Sequence, residues 1–285
     1  MRRQPGSWQE WVPSFAAEFV FAPRESDDKY RRGVVGMVTG SVPYPGAALL
    51  GTGAAARTGV GMVRYQGPPA VTNMVLLRRP EVVPAPGRVQ AWVLGSGVPE
   101  KSSQHENIRA ALAEGVPAVV DAGALFDAVD PRGSKTRPLV FTPHAGEVVR
   151  LLAALGYRTS REDVEKHLGS SASILAQLLR ATVLVKGNTT HITNPHGMAL
   201  RVSNLPPVLA TAGSGDVLAG IMGGLLATAA VRVDMTDQDN LTMLAATAAL
   251  VHGRAAALAS NGGPIVADDI VAQVPQAIAE LIRLR

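Results

Sequence analysis

From residue 34 to the end, short apolar runs alternate with amphipathic or small-residue stretches. Val34–Thr39 reads as a strand, followed by a Gly/Pro turn and a small-residue helix over 46–58. Gly61–Tyr65 and Val89–Leu94 are further strands, Asn107–Ala113 is helical, and Ala118–Asp121 and Leu139–Phe141 are strands. Glu147–Leu155 and Ala172–Leu179 show helical spacing, and Thr182–Lys186 reads as a strand. His191–Thr193 and Ala199–Val202 suggest a hairpin pair, and three helices finish the chain near 215–228, 240–260 and 268–283. Strands that alternate with helices predict an α/β fold with a mainly parallel central sheet. The strands are continuously apolar, as expected where helices cover both faces.

Residues 1–28 read as irregular and hold Trp8, Trp11, Phe15, Phe19 and Phe21. They are expected to form an arm on the body or on a neighbouring subunit. Residues 29–285 lack a low-complexity linker or a repeat, so one domain is expected there. Asp130-Pro131-Arg132-Gly133-Ser134 reads as a turn.

Composition narrows the chemistry. Hydrophobic residues make up 47% of the 285, enough for a sizeable core. No cysteine is present, which excludes disulfides, thiolate metal sites and a cysteine nucleophile, and fits a reducing cytoplasm. The longest weakly polar stretch, Val217 to Val231, falls short of the ~20 apolar residues of a membrane span. No apolar run follows Met1-Arg2-Arg3, so no secretory signal is expected. The +4 charge is scattered and aromatics are only 4%, which argues against nucleic acid and suits small anions.

Five segments fall where an open α/β sheet binds ligands, after strands and before helices. Ala212-Gly213-Ser214-Gly215-Asp216 opens a helix. Small residues there admit a close anion, and free amides with the helix dipole attract it. Asp216 reads either as a helix cap or as a base for an attacking hydroxyl. Lys186-Gly187-Asn188-Thr189-Thr190 follows a buried strand. It offers a cation and hydroxyls to phosphate, or else a hairpin turn with Lys186 in solvent. In Thr142-Pro143-His144-Ala145-Gly146-Glu147, Glu147 is placed to hold Mg²⁺ through water. The alternative is a cap by Thr142, completed by Glu147, with His144 on the surface. Gly40-Ser41 with Tyr44-Pro45-Gly46-Ala47 shapes a pocket or is a plain turn, and it is not a Walker loop. Gly95-Ser96-Gly97 lacks the third glycine of a dinucleotide fingerprint. Asp121, at another strand end, contacts substrate or caps the next turn.

In order, these segments resemble the ribokinase-like superfamily, and within it the NAD(P)H-hydrate dehydratase family. The resemblance runs from about Lys29 to the last helix, through Lys29-Tyr30-Arg31-Arg32-Gly33, Val120-Asp121-Ala122, Val185-Lys186-Gly187 and Ala210 through Gly220. The related kinases usually carry Asn where His144 stands. The resemblance implies ADP- or ATP-dependent dehydration of the S epimer of hydrated NADH or NADPH, yielding NAD(P)H, AMP and phosphate where ADP is used. It implies Asp216 as base, with Gly213, Ser214 and Gly215 stabilising the transferring phosphoryl group. Lys186, Gly187, Asn188, Thr189, Thr190 and Gly215 would hold the adenine nucleotide. Ala47, Gly97, His144 and Asp216 would face the hydrated dinucleotide. Mg²⁺ and a homotetramer are also implied.

The chain departs from the family pattern at three places. Ser214 replaces Thr, Gly123 replaces a second Asp, and the Gly95-Ser96-Gly97 loop lacks a central Pro and a further Gly. With 285 residues, the epimerase domain of some relatives is not expected here, and a separate epimerase would act with it. The runner-up is a vitamin-precursor or sugar kinase of the same superfamily. A regulatory nucleotide binder on the same scaffold is a third reading.

Overall fold

The computed structural model describes residues 7–130 and 136–285. Residues 131–134 of the expected turn, and Met1-Arg2-Arg3, lie outside the described residues.

In chain order the strands are β1 (Gln9–Glu10), β2 (Val34–Val38), β3 (Met62–Tyr65), β4 (Ala91–Leu94), β5 (Ala118–Val120), β6 (Leu139–Phe141), β7 (Thr182–Val185), β8 (Thr190–Thr193) and β9 (Ala199–Val202). They form one sheet in the order β1-β9-β8-β7-β6-β5-β4-β2-β3. The six strands from β3 to β7 are parallel. β8 runs antiparallel to both β7 and β9, so the expected hairpin pair is present.

The helices are α1 (Pro13–Ala16), α2 (Pro45–Ala56), α3 (Pro69–Arg78), α4 (Gln104–Ala113), α5 (Ala145–Ala154), α6 (Arg161–Lys166), α7 (Leu168–Leu179), α8 (Ser214–Ala229), α9 (Gln238–Ser260) and α10 (Ala267–Ile282). Alternate side chains of a strand point to opposite faces. Val35, Met37, Val93, Val119, Val140 and Leu184 therefore join one core with α2, α8, α9 and α10. Val34, Val38, Trp92, Leu94, Val120 and Phe141 join the other with α4, α5 and α7.

Some elements differ from the sequence reading. The first residues are not wholly irregular: β1 pairs parallel with β9, and Trp11 is buried, its Nε1 donating to Thr247 Oγ1 at 3.1 Å. Helix α3 was not expected, because its apolar residues have weak helical spacing and Met74 and Leu77 stay exposed. The longest apolar helix is α9, not Val217 to Val231; by length and composition it could cross a membrane. In this fold 72% of that stretch is buried, as the core helix between α8, α10 and the sheet.

Helix α8 is fitted against its neighbours at backbone distance. A Cβ on Gly220 would lie 2.3 Å from the Gly51 carbonyl oxygen of α2, and one on Gly223 2.0 Å from Val93 Cγ2 of β4. Only glycine permits that approach. It sets the N-terminus of α8 over the carboxyl ends of the parallel strands.

Candidate active site

Gly213 takes the left-handed conformation (φ +87°) and turns the chain into α8. The first intrahelical bond there is donated by Val217 N–H to Gly213 C=O. The Gly215 and Asp216 amides thus belong to the helix end, whose N–H groups have no intrahelical acceptor. The Ser214 hydroxyl lies 3.2 Å from Nε2 of the buried His252. Burial pushes the His252 pKa down to about 4, and the charge of Lys186 adds to that. His252 is therefore neutral at pH 7, a polar contact for Ser214 and not a second cation.

Lys186 leaves β7 and turns inward. Its Nζ donates to Asp121 Oδ1 at 2.9 Å, with the two side chains 23% and 4% exposed. A Cβ on Gly215 would sit 3.7 Å from the same Nζ, so the cation stands beside the helix end. Burial opposes its charge, but Asp121, Glu147 and Asp216 together hold the Lys186 pKa above its ordinary value. Burial likewise opposes ionisation of Asp121, yet Lys186 and two hydroxyl donors hold its pKa below the usual range. The donors are Ser96 Oγ at 2.9 Å and Thr142 Oγ1 at 2.8 Å. Asp121 neither caps the turn nor lies open to a ligand: it anchors the lysine. Ser96 and Thr142 were missed in this role because only the sheet brings three strand ends together.

Asp216 stands apart from this network. Burial, and then the charge of Asp121, push its pKa up to about 6, against the opposing pull of Lys186. A carboxylate poised near neutrality is a better proton acceptor and donor than one at 3.8.

At the end of β6 the cap of α5 is His144, not Thr142. His144 Nδ1 accepts from the Gly146 and Glu147 amides at 3.0 and 3.3 Å, and Glu147 Oε2 accepts from the His144 N–H at 2.9 Å. The ring is 59% exposed, and with Nδ1 engaged its Nε2 lies 3.6 Å from Glu147 Oε2. Glu147 is buried, one oxygen is committed to the cap, and among the described residues no three acidic or histidine side chains form a metal cluster. These donors suit only a water-mediated contact to an ion carried on phosphate.

A cleft of about 590 Å³ opens beside the helix end. His144, Lys186, Gly187, Asn188, Thr190, Ser214, Gly215 and His252 line it, with Leu205, Pro206, Pro207, Leu209 and Leu218 as apolar wall. A lining that combines these polar groups with apolar side chains suits phosphate plus a flat base. Thr189, Ala47, Gly97 and Asp216 are not part of its lining. Leu205-Pro206-Pro207 was not singled out from the sequence. His252 gave no signal within its apolar helix.

Gly97 and Ala47 meet outside that lining. Gly97 (φ +66°) has no room for a Cβ, which would lie 2.4 Å from Ala47 Cβ. Ser41 Oγ donates to the Gly97 carbonyl at 2.7 Å, and Gln104 Nε2 to that of Gly40 at 2.6 Å. The departure at Gly123 has a steric cause: a Cβ there would lie 2.0 Å from the Val98 carbonyl oxygen. Gly123→Asp, which restores the family's second carboxylate, is therefore expected to destabilise the fold by about 2 kcal/mol, read from urea denaturation.

Residues 35–276 match the sequence profile described as NAD(P)H-hydrate dehydratase. The chain belongs to the NAD(P)H-hydrate dehydratase family. The bifunctional NAD(P)H-hydrate repair enzyme Nnr of Mycobacterium tuberculosis is 42% identical over 214 residues, 72% of this chain and 43% of that protein. The chain spans about half the length of the bifunctional relatives it matches. The ADP-dependent (S)-NAD(P)H-hydrate dehydratase of Xanthomonas campestris is 30% identical over 226 residues, 72% of this chain and 76% of that one. In fold, the chain matches the ADP/ATP-dependent NAD(P)H-hydrate dehydratase of Bacillus subtilis, with TM-score 0.82, 23% identity and 97% and 99% of the two chains covered. A ribokinase-like superfamily protein from Enterococcus faecalis matches with TM-score 0.79 at 19% identity. The family's expected fold, ribokinase-like α/β, is the one described above.

Proposed function

We propose that this family member dehydrates (S)-hydrated NADH or NADPH at the expense of ADP, and that Asp216 is its base. The observation that carries this is the raised pKa of Asp216, to about 6, beside the amide-lined end of α8. Asp216 takes the proton of the ring hydroxyl, whose oxygen attacks the terminal phosphorus of ADP. The bond from that phosphorus to the bridging oxygen breaks, and AMP leaves. The ring nitrogen lone pair then expels phosphate, and loss of a proton from the adjacent ring carbon restores the dihydropyridine. Gly213, Ser214 and Gly215 hold the migrating phosphoryl group. Lys186, Gly187, Asn188, Thr189 and Thr190 hold the nucleotide, and Ala47, Gly97 and His144 the dinucleotide. Mg²⁺ would ride on the nucleotide, reached by Glu147 through water, and neutralise phosphate charge.

The name of the Xanthomonas relative supports ADP as co-substrate. Exposed Met74 and Leu77 on α3 support a homotetramer, and the absence of cysteine supports a cytoplasmic setting. An epimerase that interconverts the two hydrates would keep the enzyme supplied, as the bifunctional relatives suggest.

The assay is direct. Hydrated NADH with ADP and enzyme should regain the absorbance band of NADH, one AMP forming per NADH. If neither ADP nor ATP restores the band, while phosphate appears on a vitamin-like or sugar alcohol, the chain is a kinase of the same fold.

A further inference from the structure

The loop Gly95–Pro99 carries Gly97 and is wedged between two walls. On one side Gly97 presses on Ala47 and Gly40, and on the other Gly123 presses on Val98. The loop's far end is held by a side chain with no part in the chemistry above. His105, in the first turn of α4, lies with Nε2 3.0 Å from the Pro99 carbonyl oxygen and Nδ1 2.5 Å from Asp127 Oδ2. Neither partner has a hydrogen to give: one is a backbone carbonyl and the other a carboxylate. Arg109 donates to the second Asp127 oxygen at 3.0 Å. Both imidazole nitrogens must then carry hydrogen for both contacts to form, which is the cationic state.

We propose that His105 is a positioning residue, a cationic pin that joins the Gly95–Pro99 loop to the turn at Asp127 and so fixes where Gly97 meets the hydrated dinucleotide. The role in dinucleotide binding rests on the proposed function; the pin itself does not. The same loop also carries Ser96, whose hydroxyl donates to Asp121. His105 and Asp127 side chains are only 13% and 9% exposed, so water is a poor substitute for either contact.

The charged groups that act on His105 are Asp127 and Arg109; Glu100, just after the loop, faces Arg150 instead. Burial disfavours the cation and Arg109 opposes it, but Asp127 and the Pro99 carbonyl outweigh them and raise its pKa. A histidine with a raised folded pKa adds stability that is complete below its unfolded value. That stability is lost as pH rises through the folded one. The pin is therefore closed below that raised pKa and opens as pH rises through it.

The test uses the full chain. Side-chain ¹H–¹⁵N spectra from about pH 5 to 9 should show hydrogen on both His105 nitrogens at neutrality, and titration above the ordinary ~6.5. Hydrogen exchange at the Gly97 and Val98 amides should quicken in step with that titration. KM for hydrated NADH should rise about tenfold across it, while KM for ADP holds. His105→Asn should raise KM at every pH and abolish the step. Arg109→Gln, at an exposed residue, should move the step to higher pH, and Asp127→Asn to lower. A His105 with one hydrogen at neutral pH overturns the pin whatever the substrate, as does loop exchange that ignores its titration. Normal titration with a flat KM overturns its role in dinucleotide binding. An enzyme with no dehydration at all refutes the proposed function, and the spectra and exchange still decide the pin.

Discussion

Asp216→Asn should lower dehydration by about 10³-fold with KM for ADP within about threefold of the parent. The amide keeps the shape of the carboxylate but cannot accept the hydroxyl proton. The proposed nucleotide contacts lie elsewhere, on Lys186, Asn188 and Gly215, which line the cleft as Asp216 does not. The parent enzyme supplies its own control, because its base is active only when ionised. With a pKa of about 6, its rate should fall as pH drops through that value and level off above pH ~7. The acidic limb should be absent from the residual activity of Asp216→Asn. Stability should move the opposite way. The folded pKa of about 6 lies above the ordinary value of 3.8, so the fold favours the neutral acid. That contribution is complete below the unfolded pKa and lost as pH rises through the folded one. At pH 7 the carboxylate is a burden on the fold, and Asn removes it: the variant should melt no lower than the parent. A variant that loses activity and also melts many degrees lower would point to a structural role for Asp216.

Lys186→Met should cost both stability and nucleotide binding. Asp121 is 4% exposed and would be left as a buried carboxylate without its cation. Breaking such a pair typically costs about 3 kcal/mol or more, which for a chain of this size lowers Tm by roughly 6–12 °C. In the parent the Asp121 pKa is depressed. Its stabilising effect is thus present above the unfolded pKa and lost as pH falls through the folded one. In the variant only the Ser96 and Thr142 hydroxyls oppose burial, so that pKa rises and the deficit should shrink as acid neutralises Asp121. Adding Asp121→Asn should restore much of the lost Tm without restoring ADP affinity. Calorimetry on the two single variants and the double variant separates the ion pair from the nucleotide contact. An unchanged Tm for Lys186→Met would show that Ser96 and Thr142 alone sustain the carboxylate.

Much of this site was legible before the fold was known, for a physical reason. Strand ends followed by small residues and a helix start are local signals, and Gly213–Asp216, Lys186 and His144 all carry them. The strands β2, β4 to β7 and the last three helices were readable because buried parallel strands leave continuous apolar runs. What could not be read was pairing across the sheet. Asp121 looked like a cap or a substrate ligand, and its bond to Lys186 joins residues 65 positions apart. Thr142 looked like the cap of α5, but its hydroxyl turns to Asp121, so His144 takes that place. The same limit hid β1, a two-residue strand whose partner β9 lies near residue 200. Gly123 looked like a lost ligand, and the loop at Val98 shows instead why a side chain is missing.

The glycines of α8 have a consequence for how the enzyme evolves. Gly220 and Gly223 never approach the reacting atoms, yet a single methyl at either would push the helix off α2 or β4 and carry Asp216 with it. The fold and the chemistry thus draw on the same sixteen-residue helix, one from its flank and the other from its tip. Adaptation to a new acceptor has little freedom there. It is more accessible in the strand-end loops, where the exposed Tyr44 can change while the helix stays in register.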